Sequence, residues 1–399
     1  MKILTFGCRL NTYESALIRQ IAGNLDNVIV VNTCAVTAEA ERQCRQEIRK
    51  LRKENPTAQI IVTGCAAQLN PEIYAQMPEV DKVLGNREKL KKESFLCLDK
   101  TIVSDVMNCD FEIPVVSDFE GRTRAFIQIQ QGCDHKCTFC IVNQVRGKNR
   151  GVPVEQVIKQ AQNFVDKGYA ELVLTGVDVV SYPYGFSDLV EKILNEVKGL
   201  KRLRFGSVDP AGVDDKLIHL FGDYEQLMPH MHLSIQSGDD TILRRMARRH
   251  RREDVFTLTD KIRKIRPDFV FGSDFITGFP TETDKMFENT VDLVKRADII
   301  LLHVFPFSVR PSTPSAKMEM VDASVRKERA KILRQTGQDL LQAYLKGQIG
   351  KKSKVLVETT NKGFNEHYIP VILSCQTESG KIIDVINEKV KDDGFVGKI

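Results

Sequence analysis

The sequence predicts an α/β protein of three parts: an N-terminal parallel α/β sheet domain, a central partial (β/α)6 barrel of the TIM type and a small C-terminal β-barrel. Three changes of pattern indicate this division. Apolar strand-like runs alternate with helical segments up to about residue 118, six strand–helix units follow, and strands joined by turns begin near residue 346. Because Val/Ile-rich runs separated by helices are typical of parallel sheets covered on both faces, we place the domains at residues 1–118, 119–345 and 346–399.

The first segment contains four predicted strands with helices between them. Thr37 is a typical N-cap for a helix that runs to Asn55 and stops before Pro56. A short helix is expected after Pro71. The strands are Lys2–Phe6, Val28–Asn32, Gln59–Thr63 and Asp81–Leu84, and the first helix is Tyr13–Ala22.

Six consecutive strand–helix units in the second segment favour an incomplete TIM-type barrel over a doubly wound sheet. Val154–Asp166 and Asp188–Val197 are its clearest amphipathic helices. The predicted strands are Ala125–Gln130, Glu171–Thr175, Arg202–Ser207, Met231–Gln236, Phe269–Asp274 and Ile299–Phe305. In the third segment we expect strands at Lys354–Thr359, Tyr368–Ser374 and Lys381–Glu388, with turns at 361–363 and 378–380.

The composition is that of a globular protein, with 42% hydrophobic and 28% charged residues. The longest apolar stretches, such as Ile299–Phe305, are too short to span a bilayer, and the N-terminus has no signal-peptide core. We therefore expect a cytoplasmic protein without a membrane partner. Ten cysteines in that reducing compartment favour metal binding or catalysis over disulfides.

Cys133, Cys137 and Cys140 follow the first strand of the second segment, within the run Gly-Cys-Asp-His-Lys-Cys-Thr-Phe-Cys. Three thiolates within eight residues are suited to three corners of a cubane iron–sulfur cluster, which leaves one iron free for a reacting molecule. A structural zinc site usually takes four ligands, and His135 is the available fourth ligand for that alternative.

Cys8, Cys34 and Cys65 are far apart in the chain, but each of them ends a predicted strand. Because the carboxyl ends of parallel strands share one crevice, we expect these thiols to converge there. The alternative is three unrelated core cysteines, since buried cysteine often serves as a small apolar residue. The remaining cysteines show no such pattern and are interpreted as structural: Cys44, Cys97, Cys109 and Cys375.

An arginine-rich run lies between residues 244 and 252, although the net charge of the whole chain is only +5. Such a run is typical of nucleic-acid binding and equally typical of a solvated helix face paired with nearby acids. The sequence leaves both interpretations open.

With both cysteine sets described, the chain resembles the methylthiotransferases of the radical S-adenosylmethionine superfamily over nearly its whole length. Cys-x-x-x-Cys-x-x-Cys at 133–140 is similar to the superfamily signature. The motifs Gly-Cys-Arg-Leu-Asn (7–11), Asn-Thr-Cys (32–34) and Gly-Cys-Ala-Ala-Gln (64–68) resemble those of the methylthiotransferases in particular. The resemblance implies three domains in the order given, the last being a TRAM-type barrel that holds RNA.

The resemblance also implies two [4Fe-4S] clusters and S-adenosylmethionine as cofactors. S-adenosylmethionine would chelate the open iron held by Cys133, Cys137 and Cys140, and the radical derived from it would take hydrogen from carbon 2 of an adenine. The cluster on Cys8, Cys34 and Cys65 would supply the methylthio group. The implied partners are transfer RNA, through its anticodon loop, and an electron donor such as flavodoxin or ferredoxin.

Further cofactor-binding candidates lie at the carboxyl ends of barrel strands, where βα-barrels carry their active residues. They are Gly176, Asp178, Ser207, Ser234, Gln236 and Asp274. Phe139 resembles the aromatic residue that packs on the cofactor's adenine in this superfamily. Arg146 also matches a family motif and is a candidate for a phosphate or cofactor carboxylate, with a surface salt bridge as the alternative.

Four motifs resemble the branch that modifies N6-threonylcarbamoyladenosine next to the anticodon: 174–178, 207–210, 232–238 and 303–306. Modification of isopentenyladenosine or of a ribosomal-protein aspartate is the alternative within the enzymes, and a zinc-stabilised RNA-binding module is the alternative of another class. The sequence departs from the family at Thr281, where a glycine is usual, at Gly151, where a serine is common, and in the longer loop 181–185.

Overall fold

The structure is a computed structural model, and it describes residues 1–108, 114–119 and 121–399. Cys109 lies outside these ranges. Of the helices within them, none combines the length and the apolarity needed to cross a membrane.

The N-terminal segment forms a five-stranded parallel sheet in the order β1-β2-β3-β4-β5. Its central strands are built of buried Val and Ile, which pack against helices on both faces. The strands are β1 (Lys2–Thr5), β2 (Val28–Thr33), β3 (Gln59–Gly64), β4 (Lys82–Leu84) and β5 (Thr101–Ile102). The helices are α1 (Arg9–Ala22), α2 (Ala38–Glu54), α3 (Cys65–Leu69), α4 (Pro71–Ala75) and α5 (Lys92–Leu96).

Two sequence-based expectations for this domain were wrong in detail. β5 was missed, because two residues carry no usable periodicity. The first helix begins at Arg9 rather than Tyr13, since Asn11 turns inward and donates to the backbone oxygens of Phe6 and Thr33. The Thr37 cap is confirmed, because its side chain accepts a hydrogen bond from the Ala40 amide.

The central segment is an arc of six parallel strands. Two three-stranded sheets, β10-β9-β6 and β11-β12-β13, are joined where Val208 pairs with β11. The Val208 amide donates to His232 O, and the Ser234 amide donates to Val208 O, each at 2.8 Å. The arc strands are β6 (Arg124–Gln128), β9 (Glu171–Thr175), β10 (Arg202–Phe205), β11 (His230–Gln236), β12 (Val270–Thr277) and β13 (Ile299–Pro306); β7 (Gln130–Gln131) and β8 (Arg150–Gly151) form a small hairpin beside it.

Helices follow each strand of this arc, so the expected (β/α)6 partial barrel is confirmed. No pairing joins β6 to β13 within the described ranges, and the barrel therefore stays open on that side. The helices are α6 (Val142–Arg146), α7 (Val154–Asp166), α8 (Phe186–Glu196), α9 (Asp215–Asp223), α10 (Asp240–Arg245), α11 (Arg252–Ile265), α12 (Asp284–Arg296) and α13 (Ala323–Gly347).

The C-terminal segment is a closed β-barrel in the order β14-β15-β16-β18-β17, which confirms the expected barrel. The strands are β14 (Lys352–Thr359), β15 (Lys362–Phe364), β16 (Pro370–Leu373), β17 (Ile382–Lys391) and β18 (Gly394–Lys398). Lys362 and Gly363 belong to β15 and not to the expected turn, which lies at 360–361. The unpredicted β18 contains two glycines, which weaken the strand signal; a side chain at Gly394 would meet Pro370 O at 2.0 Å.

Tyr368 from the C-terminal barrel closes the bottom of the central barrel. Its ring is stacked between His230 and Phe364, with centroids 5.3 Å and 5.0 Å away. Arg124 on β6 and Arg204 on β10 lie over the same ring. The open end of the barrel, where the strands have their carboxyl ends, is therefore the end left for a substrate.

Candidate active site

Cys133, Cys137 and Cys140 lie on one loop between β7 and α6, above the carboxyl end of β6. The Cys133 amide donates to Gly147 O at 3.0 Å, and the Cys140 amide donates to Cys137 O at 3.1 Å. Gly132 precedes them with a φ of +77°, and any side chain there would strike Lys148 O. These contacts fix a tight loop that brings three sulfur atoms to one place.

The surroundings of these thiols fit an iron–sulfur cluster. Burial raises the pKa of Cys133 to about 11 and that of Cys140 to about 12, so that the free thiols hold their protons. Iron that replaces those protons turns the three sulfurs into thiolate ligands. A set of three thiols, with one position left over, fits a cubane cluster whose fourth iron is open to a small molecule.

Arg248 joins this loop to the end of β11. Its guanidinium lies 3.5 Å from Cys137 Sγ and donates to Ser234 O at 2.7 Å. Asp209, after β10, holds the same guanidinium at 3.3 Å. Sequence reasoning treated Arg248 only as a member of the arginine-rich run 244–252, so this contact was missed.

Asp178 and Gly176 lie after β9, close to the cysteine loop. Asp178 accepts a hydrogen bond from Ser181 Oγ at 2.6 Å, and His135 Nε2 lies 2.9 Å from the same carboxylate. The ligand atoms of Cys133, His135 and Asp178 all lie within 4.8 Å of one another. A side chain at Gly176 would meet Gln130 Oε1 at 2.8 Å, and the same oxygen accepts from the next two amides. Glycine is therefore required at position 176 because the Gln130 side chain packs directly against it.

The other predicted residues surround the same opening. Ser207 is exposed just beyond β10, and Ser234 and Gln236 lie on the inward face of β11. Gln236 ends that strand with a φ of +72°, a left-handed conformation that is uncommon for a residue with a side chain. Phe139 packs edge-on against Phe279 with centroids 6.4 Å apart, on the margin of a small apolar cluster.

Asp274 is the centre of a three-residue cluster inside the barrel. It accepts hydrogen bonds on Oδ1 from His232 Nε2 at 3.1 Å and from His303 Nδ1 at 3.2 Å. Burial acts to raise the pKa of Asp274, but the two imidazoles outweigh it and hold that pKa well below its usual range. The sequence singled out Asp274, yet it gave no sign that both histidines meet this carboxylate.

Cys8, Cys34 and Cys65 converge at the carboxyl edge of the N-terminal sheet, following β1, β2 and β3. A side chain at Gly7 would come within 3.0 Å of Cys34 Sγ, so the Cys8 loop lies directly against Cys34. Burial raises the pKa of Cys34 to about 12, and the neighbouring thiols of Cys65 and Cys8 add to the shift. The expected convergence of the three strand ends is observed.

Arg146 links the two cysteine sets. Its Nε donates to Cys65 Sγ at 3.2 Å, and its other nitrogens bind Glu14 and Asn11 in the N-terminal domain. The alternative of a surface salt bridge was wrong, because this side chain is only 2% exposed, and Glu14 is its partner in place of the expected phosphate or cofactor carboxylate. Lys89, donating to Glu14 at 2.6 Å, completes a buried charged triad that sequence reasoning missed.

Of the described cysteines interpreted as structural, Cys44 lies next to Cys34, whose backbone meets its thiol. Cys44 is buried in α2, Cys97 caps α5 beside Lys82, and Cys375 is exposed in the C-terminal barrel.

Comparison with known proteins places this geometry in a family. A profile of the Radical SAM superfamily matches residues 127–294, and one of the Uncharacterized protein family UPF0004 matches residues 1–85. The threonylcarbamoyladenosine tRNA methylthiotransferase MtaB of Rickettsia prowazekii is 49% identical to the chain, over 96% of this chain and 93% of that protein. The tRNA-2-methylthio-N(6)-dimethylallyladenosine synthase of Rickettsia rickettsii is 32% identical, over 100% and 98%.

Among solved structures, the radical S-adenosylmethionine methyltransferase TsrM from Kitasatospora setae superposes with a TM-score of 0.57. It is 14% identical and covers 77% of this chain and 69% of its own, which indicates a shared fold only. The full-length identity to the curated relatives decides the family. The chain belongs to the tRNA methylthiotransferases of the radical S-adenosylmethionine superfamily.

Proposed function

We propose that the protein transfers a methylthio group to carbon 2 of N6-threonylcarbamoyladenosine next to the anticodon of transfer RNA, giving 2-methylthio-N6-threonylcarbamoyladenosine. The observation that carries this proposal is the 49% identity to a threonylcarbamoyladenosine tRNA methylthiotransferase over almost the whole length of both chains. The relative named for dimethylallyladenosine is also matched over its full length, but at 32% identity.

Membership of the superfamily implies a [4Fe-4S] cluster and S-adenosylmethionine. In the proposal, Cys133, Cys137 and Cys140 hold that cluster, and the strand ends above the barrel bind the cofactor. Asp178 has a carboxylate at the rim of the cysteine loop, suited to an ammonium or a ribose hydroxyl. Phe139, Gly176, Ser207, Ser234, Gln236 and Asp274 are the further cofactor-binding candidates.

We assign a second [4Fe-4S] cluster to Cys8, Cys34 and Cys65. The convergence of three thiols at one sheet edge supports this assignment, as does Arg146, which places a fixed positive charge on Cys65. A cluster with three thiolate ligands carries excess negative charge, and a buried guanidinium stabilises it.

In the proposed reaction, the protein's own residues position the cofactor-binding loops and shield the barrel interior. When bound, the two clusters and S-adenosylmethionine supply the one-electron chemistry and the sulfur that the substrate receives. Tyr368 covers the floor of the barrel with its ring, which shields that end from water. Arg248 holds the cysteine loop against β11, and Arg146 and Glu14 hold the N-terminal sheet edge against α6.

The proposed partners follow from the substrate. The C-terminal barrel, assigned as a TRAM-like domain over residues 346–399, holds the RNA body, while the anticodon loop enters between the domains 1–118 and 119–345. Bases in a single-stranded loop can be turned out of the stack, which suits a reaction inside a barrel. A flavodoxin or ferredoxin provides the electron, and the reaction takes place in the cytoplasm.

The proposal is tested by incubating the anaerobically reconstituted enzyme with transfer RNA that contains N6-threonylcarbamoyladenosine. We expect 2-methylthio-N6-threonylcarbamoyladenosine among the digested nucleosides by mass spectrometry. Transfer RNA carrying isopentenyladenosine and a ribosomal-protein peptide with the target aspartate are the competing substrates. Modification of either competitor in place of the first RNA would refute the substrate assignment.

The remaining alternative, a zinc-stabilised RNA-binding module, has one supporting observation. His135 and Asp178 lie close to Cys133, in a group whose donor atoms would suit zinc. Metal analysis separates the two: iron with acid-labile sulfide supports the enzyme, and a colourless protein that contains only zinc would refute it.

A further inference from the structure

The interior of the barrel is layered along β11. Side chains two residues apart on a strand share a face, so His230, His232 and Ser234 point inward one above the other. His230 stacks on Tyr368 at the floor, and Ser234 lies at the rim beneath Arg248. The layer of His232 therefore lies between the sealed floor and the cysteine loop.

His232 shares this middle layer with Asp274 and His303. The two imidazoles donate to the same carboxylate oxygen, which orients both rings. The His303 side chain is 64% exposed, so its Nε2 edge is free to meet a ligand. Gly272 makes room for this layer, because a side chain there would come within 2.6 Å of His232 Nδ1.

Arg9 reaches the floor of this chamber from the N-terminal domain, directly after Cys8, and its charge acts on His230. Its guanidinium donates to Phe205 O at 3.2 Å and lies 3.4 Å from the Tyr368 hydroxyl. Within the described residues, no carboxylate lies close enough to Arg9 to form an ion pair. The guanidinium therefore has no partner among the protein's described carboxylates.

Positive charges gather around His230 at the floor of the barrel. Burial lowers the pKa of His230 well below its usual value, and the positive charges of Arg204, His232 and Arg9 lower it further. Arg204 is neutralised by Glu171 at 2.8 Å, whereas Arg9 is not. A chamber with an unneutralised guanidinium and an oriented, exposed imidazole is suited to an organic anion.

We propose that Arg9, His232 and His303 form a subsite that receives the carboxylate of the substrate's threonylcarbamoyl group. The inference rests on the proposed function, which brings a base with that substituent to the barrel. A carboxylate takes a fork of two N–H donors from an arginine, and His303 supplies a further donor when protonated. Arg9 and His303 are then specificity residues, while Asp274 positions the two rings and Tyr368 positions Arg9.

A metal ion is the rival occupant of this cluster, since two histidines and a carboxylate are a common ligand set. The two ring nitrogens that face Asp274 are, however, both engaged with its Oδ1, so a metal ion would have to displace both of these hydrogen bonds. The subsite is therefore assigned to the substrate.

The test measures binding of three anticodon stem–loop RNAs to the reconstituted full-length enzyme. The loops carry N6-threonylcarbamoyladenosine, its methyl ester, or adenosine at the target position. The parent enzyme should bind the first loop best, and Arg9→Gln and His303→Gln should each weaken that binding by about tenfold, leaving the other two loops unaffected. Arg9→Lys, which keeps the charge, should recover part of the affinity.

Two exposed residues provide matched controls: Arg19→Gln on α1 and His219→Gln on α9 should keep the parent's preference. Iron content and cleavage of S-adenosylmethionine without RNA show whether each variant is folded and loaded. If Arg9→Gln and His303→Gln bind all three loops like the parent, the subsite is overturned. It is also overturned if the parent contains a metal other than iron that His303→Gln lacks. A parent enzyme that does not prefer the threonylcarbamoyl loop would instead contradict the proposed substrate.

Discussion

Arg248 points its guanidinium at Cys137 Sγ over 3.5 Å, from the opposite side of the barrel mouth. Hydrogen bonds and positive charge next to a cluster sulfur stabilise the reduced state, because reduction adds negative charge. We predict that Arg248→Gln shifts the reduction potential of the cluster proposed on Cys133, Cys137 and Cys140 to more negative values and slows cleavage of S-adenosylmethionine. A redox titration followed by electron paramagnetic resonance measures the shift.

Arg249→Gln is the matched control for that prediction. Arg249 also binds Asp209, at 3.0 Å. Unlike Arg248, it makes no contact with Cys133, Cys137 or Cys140 among the described residues. The control should keep the parent's potential. Equal potentials in all three proteins would show that Arg248 does not act on the cluster.

The two cysteine sets are predicted to be separable. Replacing Cys133, Cys137 and Cys140 by alanine should abolish formation of 5′-deoxyadenosine while the N-terminal cluster can still be reconstituted. Replacing Cys8, Cys34 and Cys65 should remove about half of the iron, stop methylthio transfer and leave 5′-deoxyadenosine formation intact. Iron analysis and chromatography of the products measure both; an unchanged iron content in the second variant would contradict the second cluster.

Thr281, which stands where the family usually has glycine, keeps a backbone conformation that suits glycine. Its φ is +67°, which is strained for a β-branched residue, and Arg245 holds its hydroxyl at 2.5 Å. Relief of strain exceeds the entropy cost of glycine, so Thr281→Gly should raise the free energy of unfolding by roughly 1 kcal/mol. Urea unfolding measures it. Thr283→Ala, which removes the N-cap of α12, should lower it by about 1 kcal/mol; a decrease in both variants would mean that Thr281 is not strained.

Ionised Glu171 is expected to make the free energy of unfolding depend on pH in the acid range. Burial acts to raise its pKa, but Arg204 and Arg124 outweigh this and hold the pKa below the usual 4.5. The carboxylate therefore stabilises the fold fully above about pH 4.5, and this contribution disappears as the pH falls through the folded-state pKa. Glu171→Gln leaves buried arginines uncompensated and should cost roughly 3 kcal/mol at pH 7, with a smaller cost at acid pH.

Urea unfolding at pH 7 and at pH 4 checks the Glu171 prediction. Glu155→Gln is the control, because Glu155 is exposed and pairs with Lys192 only at 3.9 Å; its cost should stay below about 1 kcal/mol. A Glu171→Gln cost that does not change with pH would show that the shifted pKa is not the cause.

Site residues could be predicted from the sequence where the secondary structure alone determines their position, and could not be predicted where long-range packing determines it. Cys8, Cys34 and Cys65 were placed correctly, because the carboxyl ends of parallel strands meet whatever the intervening chain does. The Arg146–Glu14 pair was not predicted, since it joins two domains across 132 positions and neither residue has a local signature. Tyr368 was assigned to a strand, whereas its φ of +65° ends the pairing and turns the ring into the barrel. Only tertiary packing explains a tyrosine in that conformation.

The arginine-rich run divides into members bound within the protein and members exposed on the surface. Arg248 and Arg252 are bound to protein groups, whereas Arg244 and Arg251 are exposed, and within the described ranges no carboxylate pairs with either of the latter. Exposed lysines at the entry to the C-terminal barrel form a second basic group: Lys346, Lys351, Lys352 and Lys354. We expect both groups to contact phosphates of transfer RNA.

Point substitutions test this better than removal of the C-terminal barrel, because that barrel contributes the Tyr368 floor. Neutralising one side chain that binds a phosphate should lower the slope of log affinity against log salt by about 0.7 to 0.9. Arg244→Gln with Arg251→Gln, and Lys351→Gln with Lys352→Gln, should each reduce the slope by about 1.5 in filter-binding titrations with transfer RNA. Arg42→Gln is the control, since Arg42 is exposed but paired with Glu39 at 2.6 Å. If the arginine pair leaves the slope at the parent's value while the lysine pair lowers it, the arginines form a solvated face and the RNA lies on the C-terminal barrel alone. If neither pair changes the slope, the RNA takes another path across the protein.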